Sequence, residues 1–182
     1  MSLSVCSLTP AFQATSILPD IAEAVSDDCL VVSAQNGIGT EDEIARHIPP
    51  QNVARMVINY AAGNDERGVA HVAWFNPPNF FGHLTEKDEP RLARWVDMLN
   101  SLDVATDLVD SVTIKKRAFL KTILNTALMP ICALMNITMK QALDGRATRR
   151  LAEDLVKEGL SVAARLGYDY GEDIQERCMG YL

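Results

Sequence analysis

The stretch Cys29-Leu30-Val31-Val32-Ser33-Ala34, followed at once by Gln35-Asn36-Gly37-Ile38-Gly39, sets the reading of the whole chain. An unbroken apolar run of this length suits a buried strand of a parallel sheet. It ends in a glycine loop and then in Thr40-Glu41-Asp42-Glu43. That quartet reads as a capping box, in which the Thr40 hydroxyl accepts from the Glu43 backbone N–H and Glu43 reaches back. A short helix to about His47 is expected, stopped by Pro49-Pro50. The segment is strand, glycine loop, helix.

Downstream, residues 53–62 read as a second strand, and 69–75 and 79–84 as two more. Asn64 to Gly68 and Asn76-Pro77-Pro78-Asn79 supply the turns between them. Two turns this close predict antiparallel pairing at a sheet edge. A helix is expected over 88–101, with Pro90 in its first turn and Leu92, Trp95, Val96, Leu99 and Leu102 on one face. Residues 104–109 read as a further strand. Beyond Ser111 no strand pattern remains. A long helix is expected over 114–136, kinked at Pro130. A second covers 147–166, with Leu151, Leu155, Val162 and Leu166 inward and Gly167 as C-cap. A third covers 172–181. The fold class is α/β followed by all-α, with an α/β domain over 1–111 and a helical domain over 112–182.

The chain has 182 residues, 48% of them hydrophobic and 23% charged, enough for a real core. Its formal net charge of -7 disfavours nucleic-acid partners. The cluster Lys115-Lys116-Arg117 reads as a solvated face at a helix start. No stretch approaches the ~20 apolar residues of a membrane helix, and residues 1–10 do not read as a secretory signal. A cytoplasmic protein without membrane partners is expected. Cys6, Cys29, Cys132 and Cys178 stand far apart, with no histidine at zinc spacing. They read as small structural residues in a reducing compartment, and His47, His71 and His83 form no ligand motif. No metal site is expected.

Two places carry candidate chemistry. The first is the loop at Asn36 and Gly37. Ligands of wound sheets bind at the carboxyl ends of the strands, where such a loop offers backbone N–H groups and an amide side chain. It reads equally as a plain glycine turn, since the acidic residues that follow oppose a pyrophosphate. The second is Lys121 with Asn125, four residues apart and so on one helix face. That face borders a stripe of Leu120, Leu124, Leu128 and Ile131. A lysine there either snorkels to water or is a partly desolvated ammonium that passes a proton to a developing alkoxide.

At these residues the chain resembles the ketopantoate reductase (2-dehydropantoate 2-reductase) family. Ala11-Phe12-Gln13 is similar to the segment after that family's fourth Rossmann strand. Asn36-Gly37-Ile38-Gly39-Thr40 is similar to its Asn-Gly-x-Gly loop. Lys121, Asn125 and Pro130 resemble the start of its helical domain. The resemblance implies a partial Rossmann-like sheet followed by a helical C-terminal domain. It implies NADPH-dependent reduction of a small-molecule 2-oxo acid, ketopantoate to pantoate being the family example. Lys121 would be catalytic, Asn125 and Asn36 would bind substrate, and Asn36, Gly37 and Gln13 would contact the cofactor. Pro10 stands where the family commonly has lysine, and Met129 where it commonly has a second asparagine. The family's G-x-G-x-x-G turn is not in this sequence, and its substrate-binding Ser and Glu are expected beyond the last helix present. The chain is accordingly expected to lack the N-terminal turn and the C-terminal end. An unpaired edge is then expected beside residues 29–34, and with it a homo-oligomer formed through that edge or through the helices. Two other readings stay open: a non-catalytic interaction module with the family's fold, and another NAD(P)-dependent 2-hydroxy-acid dehydrogenase.

Overall fold

The computed structural model describes residues 4–7, 11–27, 29–85 and 90–181. The chain divides into two compact units, residues 1–117 and 118–182. The first holds β1 (Ser4–Ser7), α1 (Ala11–Ala24), β2 (Leu30–Ser33), α2 (Thr40–Ile44), β3 (Val53–Val57), β4 (Tyr60–Asn64), β5 (Ala70–Phe75), β6 (Asn79–His83), α3 (Pro90–Ser101) and β7 (Thr106–Val109). The helix α4 (Ser111–Met135) runs out of it into the second unit, which continues with α5 (Met139–Asp144), α6 (Arg146–Arg165) and α7 (Ile174–Tyr181).

Five strands form one sheet in the order β1-β2-β3-β6-β7. The pairs β1–β2 and β2–β3 are parallel, β3–β6 is antiparallel, and β6–β7 is parallel. The apolar run at 29–34 is explained by what covers it. Cys29 and Val31 pack with Leu18 of α1, with Ile44 and with Val53. Leu30 and Val32 pack on the opposite face with Phe81 and with Leu92 and Val96 of α3. Both faces are dry, so alternation vanishes. Burial of each such side chain contributes about 1.5–3 kcal/mol.

Several expectations need correction here. Strand β2 is paired on both sides, because Ser4–Ser7 forms a strand beside it, so the sheet edges are β1 and β7. The expected strand 53–62 is two strands. The chain leaves the main sheet at Ile58-Asn59, and Tyr60–Asn64 pairs with Ala70–Phe75 in a separate antiparallel hairpin. Strand β6 is not an edge strand; it lies between β3 and β7. Leu102 is exposed, because α3 ends at Ser101. The capping box at Thr40 does not form. Gly39 is the N-cap, in the left-handed region at φ 79°, and the Glu43 N–H donates to the Gly39 carbonyl. Thr40 is already inside the helix, and its hydroxyl is engaged elsewhere.

In the second unit Ile123, Leu124 and Ala127 of α4 pack with Val156 and Ala163 of α6 and Cys178 of α7. A second cluster joins Leu128 and Ile131 to Ala142 of α5 and Ala152 of α6. The inward stripe of α6 is therefore Ala152, Val156 and Ala163, with Leu155 half-buried against both clusters as expected, whereas Leu151, Val162 and Leu166 are exposed. Small residues won that face because the helices approach closely. A Cβ added at Gly159 would lie 2.8 Å from Ile123 Cγ2. Gly167 follows the helix at φ 80°, and the Tyr168 N–H closes onto the Ala163 carbonyl. The helix α5 has the capping box that α2 lacks, Thr138 with Gln141. By length and composition α4 could cross a membrane, contrary to expectation. Its residues Leu124, Ala127, Leu128 and Ile131 are buried against the other helices of the unit.

Candidate functional site

The carboxyl end of β2 is organised by a residue on its neighbour. Arg55 of β3 stands in register with Ser33 and is 3% exposed. A charge that deep needs partners, and of its donor atoms Nε alone lacks one among the described residues. Its Nη1 donates to Glu41 Oε2 at 2.6 Å and to the Thr40 hydroxyl. Its Nη2 donates to the carbonyls of Gln35 at 2.9 Å and Gly37 at 2.8 Å. The Ser33 and Thr40 hydroxyls lie 2.7 Å apart within the same group. Burial pulls the pKa of the Arg55 guanidinium down, and attraction and a hydrogen bond from Glu41 oppose that. Arginine stays charged throughout.

This network holds the backbone of the loop from within and leaves Asn36 and Ile38 exposed. Gly37 and Gly39 have positive φ of 109° and 79°, and no atom lies within 4 Å of a Cβ built on either. The loop is therefore fixed on its inner side and open on its outer side. Gln13 is exposed in the first turn of α1, the helix that follows β1. Strands β1 and β2 are adjacent and parallel, so α1 and the Asn36 loop follow the same edge of the sheet.

Lys121 and Asn125 are both half-buried, one turn apart on α4 in the second unit. Leu124 and Leu128 are buried, with Leu120 half-buried. Met129 is exposed. At the start of α4, Asp110 caps the helix, accepting from the N–H groups of Val112 and Thr113 and from the Thr113 hydroxyl. Hydrogen bonds from Thr113, then that from Val112, hold the Asp110 carboxyl below its ordinary range. Arg117 stacks on the Phe80 ring of β6 at 4.2 Å. Among the described residues no group of His, Cys, Asp and Glu has the makings of a metal site.

Sequence reasoning missed the Arg55–Glu41 pair. The available signal was an arginine in the middle of the otherwise apolar Val53-Ala54-Arg55-Met56-Val57, with an acidic cluster a few residues past the preceding strand.

Comparison with known proteins adds a decisive observation. The family described as ketopantoate reductase PanE/ApbA matches residues 5–85, and its C-terminal part matches residues 113–182. The chain belongs to the ketopantoate reductase family. It is similar to the 2-dehydropantoate 2-reductase of Streptococcus pyogenes serotype M1, with 22% identity over 165 residues, 91% of this chain and 53% of that protein. The solved 2-dehydropantoate 2-reductase of Geobacter metallireducens superposes with a TM-score of 0.82 at 17% identity, covering 98% of this chain and 59% of that one. A D-mandelate dehydrogenase solved with NADH and anilino(oxo)acetate gives a TM-score of 0.81 at 20% identity, covering 98% and 57%. The chain spans about half the length of these relatives. The fold is that of the family, a Rossmann-like sheet with helices and then a helical region.

Proposed function

We propose that this chain carries part of the site of a nicotinamide-dependent reductase that converts a 2-oxo acid to a 2-hydroxy acid. Ketopantoate is the expected substrate, in pantothenate biosynthesis. The observation that carries this is the family match over both units, coinciding with the exposed Asn36 loop in one and the Lys121–Asn125 pair in the other.

The residues present fit the nicotinamide end of a dinucleotide. Asn36 and Gln13 offer exposed amides along one sheet edge, and the open space at Gly37 lets a ring approach the backbone. NADPH, by family, supplies the hydride when bound. Lys121 donates a proton to the substrate's ketone oxygen as it gains electrons. Asn125 holds the substrate's polar groups, and Asn36 orients substrate and ring for transfer. A ketopantoate reductase of Staphylococcus aureus that is dimeric is among the similar solved structures, with a TM-score of 0.76, so a homo-oligomer is part of the proposal. The likeness to D-mandelate dehydrogenase favours a second reading, a 2-hydroxy-acid dehydrogenase of other specificity. Titration of the chain with NADPH and with NADH, followed by nicotinamide fluorescence, tests the cofactor. Saturable binding weakened by Asn36→Ala supports the proposal, and no binding of either refutes it.

A further inference from the structure

We propose that Arg55 is the positioning residue of the Asn36 loop, clamping the carbonyls of the residues on either side of Asn36 so that its amide is presented in one direction. Its catalytic consequence rests on the reductase reading above; the clamp itself does not.

The loop needs such a device. Residues 34–39 belong to no helix or strand, and both glycines lie at positive φ, where the backbone is most permissive. Arg55 answers this with one planar group. Its Nη2 bonds the carbonyls of Gln35 and Gly37, the residues immediately before and after Asn36. A flip of the peptide after either residue breaks one of these bonds. Its Nη1 is tied to Glu41 and Thr40, the first residues of α2. One guanidinium thus references the loop to β3, where it is rooted, and to the helix that follows. Glu41 is itself buried, so the guanidinium is held from behind as well as holding. A lysine ammonium can satisfy Glu41 but not span both carbonyls, since it lacks the rigid fork.

A merely stabilising ion pair and a positioning clamp make different predictions for Arg55→Lys. The full chain and this variant are compared by amide hydrogen exchange at residues 36–39, and by kcat and KM for ketopantoate and NADPH. The clamp predicts a folded variant whose strand amides exchange as in the wild type. Its loop amides exchange about tenfold faster or more, the equivalent of a lost charge-assisted bond. Turnover then falls about tenfold or more in kcat/KM, with KM for NADPH rising as Asn36 loses its fixed direction. Unchanged loop exchange in folded Arg55→Lys overturns the proposal. If Arg55→Lys does not fold, Glu41→Gln/Arg55→Gln removes both charges together and is read by the same exchange, with the same two outcomes. Wild-type chain without turnover on any 2-oxo acid defeats the reductase reading alone, and the exchange result then decides the clamp.

Discussion

Gly82 sits in β6, the strand between β3 and β7, as the register partner of Arg55. A Cβ added there would lie 2.7 Å from Ile114 Cβ and 2.9 Å from the Val109 carbonyl oxygen. Neither atom can turn aside: one roots a β-branched side chain on α4, and the other is main chain of β7. Overpacking of this kind costs about 1–3 kcal/mol, and the upper half of that range applies when nothing can rotate away. Alanine in place of glycine in a strand returns about 0.5–1 kcal/mol. The net expectation for Gly82→Ala is a loss of about 1–2.5 kcal/mol, which lowers the melting midpoint by about 2–10 °C in a chain of this size. Urea unfolding followed by far-UV circular dichroism gives the free energy, and a thermal scan gives the midpoint. A Gly82→Ala protein as stable as the wild type would refute the reasoning, because β6 and the start of α4 would then be further apart than described.

Two other predictions concern charge. Arg55→Met strands the buried Glu41 carboxylate and is expected to cost about 3–5 kcal/mol, whereas Glu41→Leu/Arg55→Met together should cost less than that single change; equal losses in urea unfolding would contradict this. Asp110 has a depressed carboxyl pKa, so its contribution is present above the ordinary 3.8 and lost as pH falls through the lower folded value. Asp110→Asn should therefore flatten the acid slope of the melting midpoint, and an unchanged slope would count against the cap.

Legibility in the sequence followed physical signal strength. The run at 29–34 announced β2 because both its faces are covered, and the turn residues placed the strands near it. The sequence Ser4–Ser7 is too short and polar to announce a strand, yet parallel pairing with β2 makes it one. On α6 Leu155 packs inward as expected, but Leu151, Val162 and Leu166 do not, because the close contact at Gly159 favours Ala152 and Ala163. Thr40 matched the capping pattern, but Arg55 competed for its hydroxyl and won. That competition comes from a residue fifteen positions away, which local patterns do not register. That Lys121 and Asn125 lie one turn apart on α4 was readable because helical spacing alone puts them there.

The most direct measurement is ketopantoate-dependent oxidation of NADPH by the purified chain, followed at the nicotinamide absorbance, for wild type, Lys121→Ala and Asn125→Ala. The account predicts turnover in the wild type, loss of about a hundredfold or more in kcat for Lys121→Ala, and a raised KM for ketopantoate in Asn125→Ala. Turnover that survives Lys121→Ala undiminished would contradict the assigned proton donor, and wild-type chain that oxidises no NADPH with any 2-oxo acid would contradict the reductase reading itself.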